Sequence, residues 1–213
     1  MAPPPAGRRL CAIVDADVCA AIGRVPLDVA RAFLAAGAPW LQLRCKDMAS
    51  GAFLDLANQI REHARAAGAV LIINDRADVA ALSAADGLHV GQDDLSPDDA
   101  RAVIGLSPIL GLSTHTPEQW QLAVREPISY MAIGPAFGTG TKATGYNAVG
   151  LTVIRAAATA AAAHGLPTVA IGGITLENAA SVIDAGAASV AVIGDLVKGD
   201  PEARCREFLN ALR

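Results

Sequence analysis

The sequence has little aromatic content, few cysteines and no long apolar or basic run. Aromatic residues make up 4% of its 213 residues, although 53% are hydrophobic. The apolar content is therefore largely Ala, Val, Leu and Ile, which is typical of Ala-rich helices around an aliphatic sheet and excludes a disordered, collagen-like or coiled-coil chain. Lys and Arg number 17 against 21 Asp and Glu, a net charge of −4, which argues against a sequence-independent nucleic-acid binder.

No apolar stretch reaches the roughly 18 residues of a membrane span. The run Leu10–Val14 is followed by Asp15, and the Ala-rich run Ala156–Ala163 lies between Arg155 and His164. The opening MAPPPAGRR lacks the apolar segment of a secretory signal. We therefore expect a cytoplasmic protein that binds no membrane, with residues 1–9 as a loose N-terminal extension.

The cysteines show neither a CxxC pair nor a metal-ligand spacing, and they are too few for a disulfide scaffold. We expect them to be reduced, buried and structural. They are Cys11, Cys19, Cys45 and Cys205.

Short aliphatic runs alternate with longer helical patterns along the whole chain, as in parallel strands joined by crossover helices. The predicted strands are Leu10–Val14, Trp40–Arg44, Val70–Asn74, Gly87–Val90, Ile109–Leu112, Tyr130–Ile133, Thr168–Ile171 and Ser189–Ile193. The predicted helices are Pro26–Ala36, Gly51–Ala67, Ala77–Ser83, Pro97–Ile104, Pro117–Arg125, Leu151–His164, Leu176–Ala185 and Pro201–Leu212. Eight such units predict one α/β domain over residues 1–213, a single (β/α)8 TIM barrel, with an open doubly wound sheet as the alternative. The pattern leaves open whether the chain forms a homo-oligomer.

Unusual polar residues follow these strands, at the barrel rim where active sites are built. Gln42, Arg44 and Lys46 alternate along the second strand and past its end, so their side chains point to one face while the strand lasts. Two cations there need an anion to offset their charge. A polyphosphate is the favoured partner, since Arg binds phosphoryl groups through two contacts and Lys as a point charge. A structural pair with a neighbouring carboxylate is the alternative.

Asp75 and Asp94 end the neighbouring third and fourth strands. Mg²⁺ is commonly held by one or two carboxylates, with water and substrate phosphates completing its octahedron. Beside Arg44 and Lys46, the pair predicts a metal-diphosphate site. Helix-capping carboxylates are the alternative on spacing alone.

Two glycine-rich segments indicate further phosphate contacts. Residues 134–142, GPAFGTGTK, read as a mobile loop that carries two hydroxyls and Lys142 and closes over phosphate oxygens. The pair Gly172-Gly173, with Ile193-Gly194 at the next strand end, predicts a second phosphate site. Of the histidines, His115 alone is expected on this rim, as a packing or supporting residue, and His89 is expected to be a satisfied core imidazole.

Six motifs taken in order resemble the thiamine-phosphate synthase family over about residues 10–196. They are QLRCKD at 42–47, INDR at 73–76, GLHVGQDD at 87–94, GLSTHT at 111–116, GPAFGTGTK at 134–142 and AIGGIT at 170–175. The family consists of (β/α)8 barrels that use Mg²⁺ to join a hydroxymethylpyrimidine diphosphate to a thiazole phosphate, releasing pyrophosphate.

The resemblance implies a role for each matching residue. Asp75 and Asp94 would bind Mg²⁺, and Gln42 would contact the pyrimidine. The diphosphate would be held by Arg44, Lys46, Asn74, Ser113 and Lys142, of which Arg44, Lys46, Ser113 and Lys142 are the catalytic candidates. Thr139 and Thr141 would line the active-site loop, and the thiazole phosphate would lie against Gly173, Ile193 and Gly194.

The chain departs from the family pattern at three positions. Gly194 stands where Ser is common, which removes a hydroxyl from the thiazole-phosphate site. Arg76 replaces a frequent acid, and Cys45 a frequent Glu. The alternatives are a barrel similar to thiazole tautomerase, which needs no Mg²⁺, and a non-catalytic sensor of a phosphorylated ligand.

Overall fold

The structure, a computed structural model, describes residues 9–138 and 145–213. Eight parallel strands close into a barrel in chain order, with β1 paired to both β2 and β8. The predicted (β/α)8 barrel is confirmed, and the open-sheet alternative is wrong. The strands are β1 Leu10–Asp15, β2 Trp40–Arg44, β3 Val70–Asn74, β4 Gly87–Val90, β5 Ile109–Thr114, β6 Tyr130–Ile133, β7 Thr168–Ile171 and β8 Ser189–Val192.

Helices flank the strands on the outside of the barrel. Within the described ranges they are α1 Ala16–Ala21, α2 Pro26–Ala35, α3 Ser50–Ala66, α4 Ala77–Leu82, α5 Pro97–Ile104, α6 Pro117–Ala123, α7 Gly150–Ala162, α8 Ala179–Asp184 and α9 Pro201–Ala211. A short 3₁₀ helix, Gly194–Val197, follows β8. None of the helices in the described part of the chain is long and apolar enough to cross a membrane.

Three helical features differ from the sequence prediction by more than two residues. The helix α1 and the 3₁₀ helix were not expected. The carboxylate of Asp15 caps α1 by accepting hydrogen bonds from the amides of Asp17 and Val18, so the chain turns into a helix directly after β1. The helix α8 begins at Ala179 rather than Leu176, and the residues before it form a turn in which the Asn178 and Ala179 amides donate to the Thr175 carbonyl.

The apolar core has two layers, one on the outer face of the sheet and one on its inner face. Outside the barrel, Phe33, Phe53 and other apolar side chains fill the space between strands and helices. Inside it, Trp40 and Tyr130 meet edge to face with ring centroids 5.1 Å apart. This inner layer fills the barrel, so polar chemistry is confined to its mouths.

The four cysteines are free and buried, as expected. Burial raises the pKa of the Cys19 thiol to about 11 and those of Cys45 and Cys205 to about 12, and it also raises the pKa of Cys11. The reactive thiolate is therefore scarce at neutral pH. We expect the native protein to react very slowly with a thiol reagent such as DTNB at pH 8, whereas the protein in guanidinium chloride reacts at all four thiols. Fast native-state labelling would contradict this packing.

Candidate active site

A cavity of about 490 Å³ opens at the end of the barrel where the strands finish. Every described residue that the sequence placed in a site lines it, whereas Thr139, Thr141 and Lys142 lie outside the described residues. The lining residues from that set are Gln42, Arg44, Lys46, Asn74, Asp75, Asp94, Ser113, Gly173, Ile193 and Gly194. The topology thus brings together residues that are up to about 150 positions apart in the chain, as expected for the carboxyl ends of parallel strands.

Arg44 is held in place by a buried acid that the sequence interpretation overlooked. Its Nη1 donates to Asp15 Oδ2 at 2.6 Å, and the same nitrogen lies 3.8 Å from Asp17 Oδ2. Asp15 is 3% exposed. The carboxylate alternative considered for this arginine is therefore present, but it does not satisfy the whole guanidinium. The buried Nε of Arg44 has no hydrogen-bond partner among the described residues. Because the residue lines the cavity, guanidinium N–H donors that do not point at Asp15 remain for an anion there.

Two carboxylates and a lysine meet beside it. Lys46 Nζ forms an ion pair with Asp75 Oδ2, and Asp94 lies close enough to Asp75 for their carboxyl groups to interact. Burial raises the pKa of Asp94, and a hydrogen bond with Asp75 raises it further. Asp94 also accepts a hydrogen bond from the Gly91 amide at 2.8 Å. This is a concentration of negative charge that a cation would relieve.

Asp75 is placed by an uncommon backbone conformation. Its φ of 64° is in the left-handed region, which a residue with a side chain seldom adopts. The Asp75 amide donates to the His89 carbonyl at 2.7 Å, which holds the turn after β3 against β4. Strain of this kind is commonly found at functional positions.

A polar chain crosses the floor of the cavity. Tyr130 Oη lies 2.8 Å from His89 Nδ1, and His89 Nε2 lies 2.8 Å from Ser113 Oγ. Burial raises the pKa of Tyr130 well above its usual value, although the Gln42 side chain lies close enough to this tyrosine to favour its ionised form. Gly111 makes room for this arrangement, since a Cβ there would lie 2.1 Å from Tyr130 Cζ. His89 is hydrogen-bonded, as expected, but it also lines the cavity rather than belonging only to the core.

His115 supports the loop that follows β6. Its Nδ1 donates to the Gly134 carbonyl at 2.6 Å, and its ring stacks on Tyr146 with centroids 4.1 Å apart. Gln119 accepts from the His115 amide and donates to Tyr146 Oη. These contacts fit the supporting role predicted for His115.

The other half of the cavity is built from glycines and backbone. At Gly173, φ is +63° and a Cβ would lie 2.6 Å from the Gly138 carbonyl oxygen, so only glycine allows the two loops to approach. Gly173 O accepts from Asn178 Nδ2 at 3.1 Å. The carboxylate of Asp195 braces the loop after β8 against the one after β7 through the Leu176 amide. Small residues and exposed backbone here suit close approach by an anion.

Sequence reasoning missed Asp15, Tyr130 and Lys198 as lining or supporting residues. Asp15 carried a usable signal, because an acid that ends a buried strand must find a partner. Tyr130 begins a short strand and reads as an ordinary core residue. Lys198 follows a helix that was not expected.

Comparison with known proteins agrees with this geometry. The family model described as thiamine monophosphate synthase matches residues 10–196. The chain is 45% identical over 209 residues to the thiamine-phosphate synthase of Koribacter versatilis, covering 96% of this chain and 95% of the relative. It is 44% identical to that of Roseiflexus castenholzii, covering 98% and 90%. The structure of thiamine phosphate pyrophosphorylase from Pyrococcus furiosus superposes with a TM-score of 0.86 at 26% identity, covering 96% of this chain and 95% of that one.

The chain belongs to the thiamine monophosphate synthase family. Two of its departures from the family motifs lie outside the cavity lining. Arg76 hydrogen-bonds to Asp78 and Ser50, and the side chain of Cys45 is buried. The third, Gly194, is part of the lining.

The residues around Asp75 and Asp94 fit a magnesium ion. Within residues 9–138 and 145–213, no group of three or more His, Cys, Asp or Glu side chains could hold a metal by itself. Asp75 and Asp94 offer two adjacent hard oxygen donors facing the cavity. Such a partial set is what Mg²⁺ uses when phosphate oxygens and water complete its coordination.

Proposed function

We propose that this chain is a thiamine-phosphate synthase. It would join 4-amino-2-methyl-5-hydroxymethylpyrimidine diphosphate to 4-methyl-5-(2-phosphoethyl)thiazole, giving thiamine phosphate and pyrophosphate. The observation that carries the proposal is the junction of opposite charges at one mouth, where Asp75 and Asp94 lie beside Lys46. The free buried thiols support a reducing location such as the cytoplasm.

The diphosphate half of the cavity is the part lined by Arg44, Lys46, Asp75 and Asp94, and it would bind the more highly charged group of the two substrates. Arg44 and Lys46 would bind the diphosphate oxygens, with Asn74 and Ser113 as hydrogen-bonding partners and Lys142 as a further cation. Asp75 and Asp94 would hold Mg²⁺, which supplies charge neutralisation for the leaving diphosphate. Gln42, which lines the cavity, would orient the pyrimidine.

The reaction proposed is a dissociative substitution. The bond between the pyrimidine methylene carbon and the diphosphate oxygen breaks with its electron pair going to oxygen, and the thiazole nitrogen then donates its pair to that carbon. Arg44 and Lys46 stabilise the negative charge that develops on the departing oxygen. No protein nucleophile takes part, so the remaining contribution of the chain is to position the two substrates.

The half of the cavity formed by the loops after β7 and β8 would supply backbone donors to the thiazole phosphate. Gly173, Ile193 and Gly194 would receive the thiazole phosphate, with Thr139 and Thr141 on the active-site loop. Anchoring the phosphate there leaves the thiazole nitrogen facing the pyrimidine methylene across the cavity. Since two substrates meet in one cavity, release of pyrophosphate should require both.

A coupled assay for pyrophosphate tests the proposal. Purified protein is incubated with each precursor alone and with both, with Mg²⁺ or with excess EDTA. We expect rapid release only with both precursors and Mg²⁺, together with formation of thiamine phosphate. Binding of the thiazole phosphate without turnover would instead indicate a sensor, and metal-independent conversion of a thiazole carboxylate phosphate would indicate a tautomerase-like barrel.

A further inference from the structure

Lysine is rare in this chain, and the described lysines lie at one end of the barrel. The sequence contains three lysines, Lys46, Lys142 and Lys198, and the two that the structure describes come after β2 and β8, at the carboxyl end of the barrel. Lys46 belongs to the diphosphate half, and Lys142 lies outside the described residues. Lys198 comes just after the 3₁₀ helix and lines the cavity together with Gly173, Ile193 and Gly194.

Charge is unevenly divided between the two halves of the cavity. Of the arginines and lysines in the described ranges, Arg44, Lys46 and Lys198 line it. The first two are paired with Asp15 and Asp75 in the diphosphate half. Lys198 is therefore the single described cation on the side formed by the loops after β7 and β8.

Asp195 forms an ion pair with Lys198, but the same carboxylate also pairs with a second cation. Lys198 Nζ lies 2.8 Å from Asp195 Oδ1, while Asp195 Oδ2 accepts from Arg204 Nη2 at 2.6 Å and from the Leu176 amide. Burial alone would raise the pKa of Asp195, but the nearby Lys198 ammonium group and hydrogen bonds from the Leu176 amide and Arg204 hold it below its usual value. One carboxylate is thus shared between two cations. An ammonium group has three N–H donors, so those not directed at Asp195 can face an anion.

We propose that Lys198 binds the phosphate of the thiazole substrate, in place of the side-chain hydroxyl that Gly194 does not provide. This inference rests on the proposed function and assigns a specificity residue to its second substrate. A phosphate monoester carries roughly two negative charges at neutral pH, which backbone amides alone offset poorly. The Lys198 side chain is 69% exposed, so it is accessible to an incoming ligand. Lys198 thereby makes the site selective for the phosphorylated thiazole over its alcohol.

Calorimetric titration with two probes tests this assignment. The probes are 4-methyl-5-(2-phosphoethyl)thiazole and the corresponding phosphate-free alcohol. We expect Lys198→Met to weaken binding of the phosphorylated probe about tenfold, the size of one charge-assisted contact, and to leave binding of the alcohol unchanged. Lys198→Arg should restore most of the loss. In turnover assays, KM for the thiazole phosphate should rise about tenfold, whereas KM for the pyrimidine diphosphate and kcat at saturation should stay at wild-type values.

Arg206→Met is the matched control, because Arg206 is an exposed cation on α9 paired with Glu202, outside the cavity lining. It should behave as wild type in both titrations. Equal affinity of Lys198→Met and wild type for the phosphorylated probe would overturn the proposal, as would an equal loss for both probes. If the wild type binds the phosphorylated probe but releases no pyrophosphate, the proposed function fails, while the two-probe comparison still decides the role of Lys198.

Discussion

Replacing Asp94 by Asn should reduce Mg²⁺-dependent pyrophosphate release on the order of 100- to 1,000-fold, since an electrostatic contact to the leaving group is lost. The fold should remain intact. Asp94 Oδ2 accepts from the Gly91 amide, and the amide oxygen of Asn can accept the same bond. Relief of the repulsion with Asp75, which contributes to the raised pKa of Asp94, should keep stability at or slightly above the wild-type level. Steady-state turnover over a range of Mg²⁺ concentrations, with thermal melting alongside, measures both effects.

Asp98→Asn is the matched control for Asp94→Asn. Asp98 lies in the first turn of the neighbouring helix α5, so the substitution removes the same unit of charge a few residues away but outside the cavity lining. Its turnover should stay within about twofold of wild type, as for an ordinary surface substitution. If Asp94→Asn kept wild-type turnover at every Mg²⁺ concentration, the assignment of that carboxylate to the metal would be wrong.

Replacing Asp15 by Asn should impair both stability and substrate binding. The Asn side-chain oxygen can still cap α1, but its NH2 group would face Arg44 Nη1, which is also a donor. The guanidinium of Arg44, whose side chain is 14% exposed, then loses its buried partner. Breaking such a pair costs about 3 kcal/mol, measurable by denaturant unfolding. Because Arg44 is no longer held toward the cavity, KM for the pyrimidine diphosphate should rise about tenfold.

Asp17→Asn separates the buried contact from general charge loss near Arg44. Asp17 is 51% exposed at the side-chain level, and its Oδ2 lies 3.8 Å from Arg44 Nη1. Exposed pairs contribute little, so this variant should lose less than about 1 kcal/mol of stability and keep its KM. If Asp15→Asn and Asp17→Asn had equal effects, the buried ion pair would not be what positions Arg44.

The barrel could be predicted because its signal is local. Strands buried on both faces read as short continuous aliphatic runs, and five of them, β2, β3, β4, β6 and β7, have the bounds expected from the sequence. Polar residues at strand ends then had to converge on one mouth. This is how Asp75 and Asp94 could be placed together although 18 residues separate them.

The supporting contacts could not be predicted, because they depend on three-dimensional register. The pairing of Asp15 with Arg44 follows from β1 lying beside β2 with these residues in register. The contact between Tyr130 and His89 requires both the closed barrel and the missing side chain at Gly111. Nothing in the local pattern around Lys198 indicated that an unexpected 3₁₀ helix would bring it to the cavity.

The central claim is that a divalent ion and diphosphate bind together in one half of this mouth. The most direct measurement is a crystal structure of the protein with Mn²⁺ in place of Mg²⁺ and with pyrophosphate, located by anomalous scattering. The account predicts a manganese peak between the carboxylates of Asp75 and Asp94, with pyrophosphate against Arg44 and Lys46. Manganese bound away from both carboxylates, or pyrophosphate bound only beside Gly173 and Lys198, would contradict it.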